Sequence, residues 1–544
     1  MSLPTSENAR AAMERIAREC ELSLAFPDAV MAEVAALRTS VPIDDPRLPS
    51  FEDVPFVTID GATSKDLDQA VHVARGERGR AFTVRYALAA AADFVKPGTA
   101  LFDEALRRGA SFYFPGFAVP MLPRELSEGI VSLNPAVVRR ALIFVVDLDT
   151  EGAILETRGE RGRIRSRRKL AWGDVQRLYD GEASDLRGSE MESSLLALRD
   201  VGRLRVREAE ARNVVRYHRK EVGVEIDSDG LGVSVVETVR DEVELYNEQI
   251  SLLVNSEGGR LLREHPSPAV QPIYRIHPGP DAERIAQLRR MIDAVVDAHG
   301  LPDVPFRFRE DESLARYVAS LPQSGEHVRV AKALERQSLL VSLRSSYASD
   351  PGPHFGVGAE PYARFSAPMC EIVGIFLHRQ MLQALSSDTS PDEKDVALRE
   401  QVIEAANRAR DTQRRINDLV ERYALDRLFE RELERPEAER RRFTGTVMGV
   451  TGAKIFVHFD EPGVDAKIYS FDVGKALGGA WLELDASGAL LRVQKGGRLP
   501  PGTVIARIGD EARVYVAGRD GARDRWVLLP ELPPKGLPSK PSGR

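Results

Sequence analysis

Cysteine is almost missing from this chain: 544 residues hold only two, Cys20 and Cys370, with no paired spacing. That excludes a disulfide framework and a cysteine-built zinc site. Long apolar runs are missing as well. None approaches the roughly 20 residues needed to cross a bilayer. The opening stretch MSLPTSENARAAMERIAREC has no apolar segment of signal-peptide length. A cytoplasmic protein without membrane contact is the expectation. No internal repeat of about 20–50 residues is found, which argues against a repeat array.

A surplus of positive charge, usual where nucleic acid is held, is also absent overall, the net charge being −7. Its distribution is uneven. Residues 441–544 hold 16 Lys/Arg and 11 Asp/Glu, whereas the remainder holds 60 and 72, so a basic C-terminal segment follows an acidic body. The split points to metal–carboxylate chemistry in the body and a polyanion contact at the end.

What is present reads as a globular protein, 43% hydrophobic and 29% charged, and long enough for two or three domains. Residues 6–20 show helical spacing, with Ser6 as the expected N-cap, and "FPDAVMAEVAALRT" predicts a second helix with Pro27 in its first turn. Residues 1–50 thus form a helical and linker region. From Phe56 to Asp149 the runs "PFVTID", "AVHVA", "FTVRYALA" and "ALIFVVDLD" predict strands, after which helices such as "AERIAQLRRMIDAVVDAHG" dominate. Residues 51–440 are read as one α+β domain, a mixed sheet with surrounding helices. Residues 441–530, short strands between Gly-rich turns, predict a small β-barrel. Residues 531–544, Pro-rich and polar, predict a disordered tail.

One stretch asks for chemistry. "FVTIDGATSKDLDQAV" brings Asp60, Asp66 and Asp68 together beside a turn. In a returning strand Asp66 and Asp68 share a face, and Gln69 points away unless the chain bulges. Three anions so close raise one another's pKa unless a cation sits between them. Mg²⁺ or Mn²⁺ suits oxygen ligands, keeps waters and accepts phosphate oxygens, and a pair of such ions can activate water against a phosphodiester. Taken alone, Asp-x-Asp is equally at home in a solvated turn.

The stretch resembles the opening of the catalytic domain in the ribonuclease II/ribonuclease R (RNB-domain) family, where Thr-Ile-Asp leads to an Asp-x-Asp-Asp cluster. "SFYFPGFAVPMLPRELSEGIVSLNP", "PIYRIHPGPD", "HFGVGAEPYARFSAP" and "LHR" at Leu377 to Arg379 match the family's later motifs in order. The resemblance implies an RNB-type domain followed by an S1-type OB fold. It further implies hydrolytic 3′→5′ digestion of single-stranded RNA to nucleoside 5′-monophosphates with a divalent metal. Carried over, Asp60, Asp66, Asp68 and Glu421 are catalytic, and Asp60, Asp66 and Asp68 hold metal, with Gln69 offering a carbonyl oxygen. Tyr113 packs on the terminal nucleotide. Trp172, Tyr362, Arg364 and Arg379, with Lys454, Phe456 and His458 in the barrel, contact RNA, and Phe459, Tyr469 and Lys467 are further surface candidates, fewer than half of the aromatics being expected to touch it. Without the resemblance, core packing is the better reading of Tyr113 and Trp172. A monomer with no small-molecule cofactor is expected.

The sequence departs from the family pattern at Gln69 (aspartate), Ala90 (aspartate of an Ile-Ala-Asp segment), Cys370 (phosphate-binding arginine), Glu371 (a base) and Gly374 (aspartate). A thiol is neither basic nor bidentate, so Cys370 cannot replace a guanidinium. Arg364 or Arg379 is a candidate to compensate. The second reading is therefore a catalytically impaired pseudo-nuclease that binds RNA 3′ ends or scaffolds a partner. Family members usually carry cold-shock barrels ahead of the catalytic domain, for which about 50 residues leave no room.

Overall fold

The strand runs seen in the sequence pair into one six-stranded sheet. Its order is Ile154–Arg165, Val138–Leu148, Phe82–Ala89, Gln69–Arg75, Val57–Asp60 and Arg168–Ala171. Neighbours are antiparallel except the last pair, where Val57–Asp60 runs parallel to Arg168–Ala171 with Asp60 opposite Ala171. The computed structural model describes residues 8–40, 42–76, 79–214, 221–226, 233–238, 240–386 and 393–531.

The central strands Phe82–Ala89 and Val138–Leu148 are buried almost throughout, which is why they read as continuous apolar runs rather than alternations. The helices Glu192–Ala211, Glu242–Glu264 and Ile372–Ala384 supply Leu195, Leu198, Ile250, Leu253, Ile372 and Phe376 to the same core. Each such side chain contributes about 1.5–3 kcal/mol on full burial.

The chain divides into two compact units. One comprises Met1–Val214, Val239–Gly279 and Arg344–Val420, and holds the six-stranded sheet; the other comprises Val215–Thr238, Pro280–Leu343 and Glu421–Arg544. The long helix Glu393–Leu433 contributes residues to both. In the second unit the strands Asp465–Tyr469, Lys454–Phe459, Phe443–Val450, Glu511–Asp520 and Arg525–Pro530 form a five-stranded antiparallel sheet. Trp481–Leu484, Leu490–Lys495 and Val504–Arg507 form a separate three-stranded one. Among the described residues these strands make two sheets and no closed ring, so the expected barrel is present as antiparallel strands without closure. The rings of Phe429, Phe443, Phe459 and Trp526 pack together in this unit.

One N-terminal detail differs from expectation. The first helix is Ala9–Glu19, and Asn8 is its cap, its side chain accepting from the Arg10 amide at 2.7 Å; Ser6 lies outside the described residues. A carboxamide does the capping as well as a hydroxyl. The proposed tail, apart from Glu531, also lies outside them.

Candidate active site

Asp60 ends its strand, and the turn after it closes on its carboxylate. The Gly61 amide and the Ser64 hydroxyl donate to Asp60 Oδ1 at 2.7 and 3.0 Å. Lys169, on the neighbouring parallel strand, donates its ammonium to the carbonyls of Ala62 (2.8 Å) and Ser64. Residues 61–68 are irregular, and the returning strand starts at Gln69 rather than at Asp66. The Ser132 hydroxyl holds this segment, accepting from the Leu67 amide at 3.0 Å and donating to the Lys65 carbonyl at 2.8 Å. Neither Lys169 nor Ser132 shows in the local pattern, because both act across the fold.

Asp66 and Asp68 turn toward the segment that precedes the helix Ile372–Ala384. The Met369 amide donates to Asp68 Oδ1 at 2.8 Å, and the Cys370 thiol lies 3.3 Å from Asp68 Oδ2 and 3.5 Å from Asp66 Oδ2. Tyr113 completes the group, its hydroxyl 3.4 Å from Cys370 Sγ. It stands 56% exposed in the hairpin of Phe112–Phe114 and Phe117–Val119, the flanking Phe112 and Phe114 being buried. Gly109 aims that hairpin: its φ is +74°, and a Cβ there would lie 2.6 Å from the Ala405 carbonyl oxygen, so no other residue fits. The Ser111 amide then bonds the Cys370 carbonyl at 2.9 Å and brings the two segments together.

Burial and mutual repulsion set the electrostatics of these carboxylates. Burial, then the charges of Asp66 and Asp60, push Asp68 up to about 8 against the opposing Met369 amide. Burial also raises Asp60, against bonds from Gly61 and Ser64. Burial and the Asp68 and Asp66 charges push the Cys370 thiol well up, so it is a neutral thiol and not a nucleophile.

Several expected residues stand elsewhere. The Gln69 carbonyl oxygen is taken by Tyr86 and Ser251, which removes it from the expected metal set. Among the described residues no three His, Cys, Asp or Glu side chains converge as a metal-holding group. The three aspartates therefore do not form one cage: Asp66 and Asp68 converge, and Asp60 stands beside them in its own turn. Two carboxylates with open coordination positions still suit Mg²⁺, which takes one or two carboxylates and completes its shell with water and phosphate.

Tyr362 is 1% exposed and its hydroxyl accepts from Asn255, so it is core and not an RNA contact. Trp172 is partly buried against the hydrophobic core. Arg379 pairs with Asp395 at 2.6 Å, and Arg364 pairs with Glu371 at 3.0 Å. Ala90 is buried and caps a short turn without a carboxylate. Glu421 is exposed on the long helix, where the second unit begins.

In the second unit His458 pairs with Asp465 at 2.7 Å, the Lys454 ammonium lies 5.4 Å from the Tyr469 ring centroid, and Phe456 is partly buried. Phe459 is fully buried and stacks on Phe443, so it fills the core. The most exposed rings there, Trp481 (67%) and Phe471 (65%), were not singled out, since nothing in their sequence setting separates them from core aromatics.

Gly374 stands where a carboxylate was expected, and the backbone leaves it no room. A Cβ there would sit 2.8 Å from Pro368 Cα and 3.1 Å from the Ala367 carbonyl oxygen. Gly374→Ala is expected to cost about 1–3 kcal/mol by overpacking, read as a lower denaturant midpoint; an unchanged midpoint would contradict this contact.

Comparison with known proteins places this geometry. Ribonuclease R of Escherichia coli (strain K12) is 24% identical over 534 residues, covering 94% of this chain and 61% of the relative. The chain thus spans less than two thirds of that protein's length. The structure of Mycoplasma genitalium RNase R in complex with ribose methylated single-stranded RNA superposes with a TM-score of 0.80 at 20% identity, over 96% of this chain and 78% of that one. Yeast Ssd1, a pseudonuclease, superposes at 0.64 with 16% identity over 89% and 58%. The RNB domain matches residues 49–387, more than half of the sequence, and the chain belongs to that family.

Proposed function

We propose that the protein is a hydrolytic 3′→5′ exoribonuclease that shortens single-stranded RNA and releases nucleoside 5′-monophosphates. The observation that carries this reading is the convergence of the Asp66 and Asp68 carboxylates beside the exposed Tyr113 ring in an RNB-family chain. Asp66 and Asp68, with Asp60 beside them, would hold Mg²⁺ or Mn²⁺, and the bound ion would supply Lewis-acid polarisation of the phosphodiester and an activated water. Tyr113 offers its face to the terminal base, a sequence-tolerant contact worth about 1–3 kcal/mol. The Met369 amide and the Ser64 hydroxyl keep the Asp68 and Asp60 carboxylates aimed before substrate arrives. The C-terminal strands, in this reading, form an S1-type OB module that holds RNA through Lys454, Phe456 and His458. The enzyme works as a cytoplasmic monomer; no described helix is long and apolar enough to cross a membrane.

One observation favours a second reading. The group beside Asp66 and Asp68 is the uncharged Cys370 thiol, so the charge that would grip the scissile phosphate is missing there. A protein that binds RNA ends without cutting them would tolerate this. The two readings part on a 5′-labelled oligoribonucleotide incubated with Mg²⁺ or Mn²⁺. A ladder shortening from the 3′ end, abolished by EDTA, supports the exoribonuclease; a stable complex with no shortening rejects it.

A further inference from the structure

Position 370 lacks a guanidinium, yet the residues around it do not lack positive charge. On the strand pair Tyr274–Ile276 and Ser346–Ala348, Arg275 stands opposite Tyr347. The Arg275 guanidinium carbon lies 5.9 Å from the Tyr347 ring centroid, and that of Arg410 lies 6.0 Å from the same ring. Arg410 is fixed by Ser345, donating to its carbonyl and, at 2.7 Å, to its hydroxyl. The Tyr347 hydroxyl donates to Glu371 at 2.5 Å, and the other oxygen of that carboxylate accepts from Arg364 Nε at 3.0 Å. Only Arg364 bonds Glu371, while Arg275 and Arg410 flank the Tyr347 ring whose hydroxyl bonds the same carboxylate, so the group carries more positive than negative charge. The imbalance is not hidden from solvent, since the Arg364 and Glu371 side chains keep 31% and 24% of their exposure. Arg275 Nε is buried with no hydrogen-bond partner. A surplus of guanidinium over carboxylate charge that reaches solvent suits an anion.

Its location says which anion. Glu371 follows Cys370 directly in the chain, and the Cys370 thiol touches Asp66 and Asp68. Arg364 bonds Glu371, the residue directly after Cys370, which brings the arginine to the segment that faces the acidic group. We propose that Arg275, Arg364 and Arg410, set around Tyr347 and braced by Glu371, form a phosphate subsite for a phosphodiester of the RNA strand next to the one at the aspartates. The proposal rests on the RNA-acting reading above and deepens it: the arginines serve the neighbouring phosphodiester, while position 370 itself stays without a charge. Arginine forks match two phosphate oxygens, and Glu371 keeps Arg364 extended while leaving a surplus of positive charge.

The test is the salt dependence of binding. A labelled single-stranded oligoribonucleotide is titrated by anisotropy in EDTA, so that no shortening occurs, with wild type, Arg275→Gln and Glu371→Gln. Arg275→Gln is expected to weaken binding and reduce the slope of log affinity against log salt by about 0.7, one single-strand phosphate contact. Glu371→Gln, which removes the competing carboxylate, is expected to tighten binding, most at low salt. Glutamine keeps an oxygen for Arg364 Nε, so the brace survives the loss of charge; a purely structural role for the cluster predicts no tightening. Thermal melts check that each variant folds, and if Glu371→Gln does not, Arg275→Gln decides alone. RNA binding by wild type with an unchanged slope for folded Arg275→Gln overturns the subsite and leaves the functional reading standing. No RNA binding by wild type overturns both.

Discussion

Asp68→Asn is expected to abolish RNA shortening, by at least about 10²–10³-fold, and at the same time to raise the melting temperature in EDTA. The two effects have one cause. Asp68 is enclosed beside Asp66, and its proton leaves only at about 8, whereas the ordinary carboxyl releases it at 3.8. The folded chain holds this proton over a pH range in which the unfolded chain has already released it. The stability linked to it is complete below about pH 4 and is lost as pH rises toward about 8. Asparagine keeps an oxygen for the Met369 amide and carries no charge, so its advantage over wild type should widen from pH 4 to pH 8. Mg²⁺ should close the gap by stabilising wild type alone. A variant that melts lower than wild type at pH 8 in EDTA would show that the carboxylate is compensated by something other than a cation.

Cys370→Arg is the second large expectation. The thiol lies against both carboxylates and the Tyr113 hydroxyl, and burial keeps it neutral, so the position has the right neighbours and the wrong charge. A guanidinium there would pair with Asp66 and Asp68 and reach a phosphate bound between them. Restoring one preorganised charge is expected to raise the shortening rate by on the order of 10²-fold and to tighten RNA binding in parallel. Single-turnover rates with a labelled oligoribonucleotide measure it. An unchanged or lower rate in a folded variant would mean that Arg364 and its neighbours already supply the charge, or that the new cation displaces the metal.

Much of this was legible in the sequence, for a local reason. The strand "FVTID", the turn after it and the paired aspartates depend on residues a few positions apart, whereas the hairpin that exposes Tyr113 was not read from its residues. What stayed hidden was non-local. Ser132 pins the segment from 65 to 67 across the fold. Asn255, on a distant helix, turns the segment from 362 to 366 so that Tyr362 enters the core while Arg364 reaches Glu371. The pairing of Arg364 with Glu371 could not be read from two residues seven positions apart. Gln69 failed as a metal ligand because Tyr86 and Ser251, from two other elements, claim its oxygen.

In the proposed reading, Asp66 and Asp68 gather beside Tyr113 to hold a divalent cation against an RNA phosphate. A crystal grown with Mn²⁺ and a short oligoribonucleotide tests it most directly, through anomalous scattering at the manganese edge. A peak within coordination distance of the Asp66 and Asp68 oxygens, touching a backbone phosphate, is the predicted result. Bound RNA with no anomalous peak at those carboxylates would contradict it.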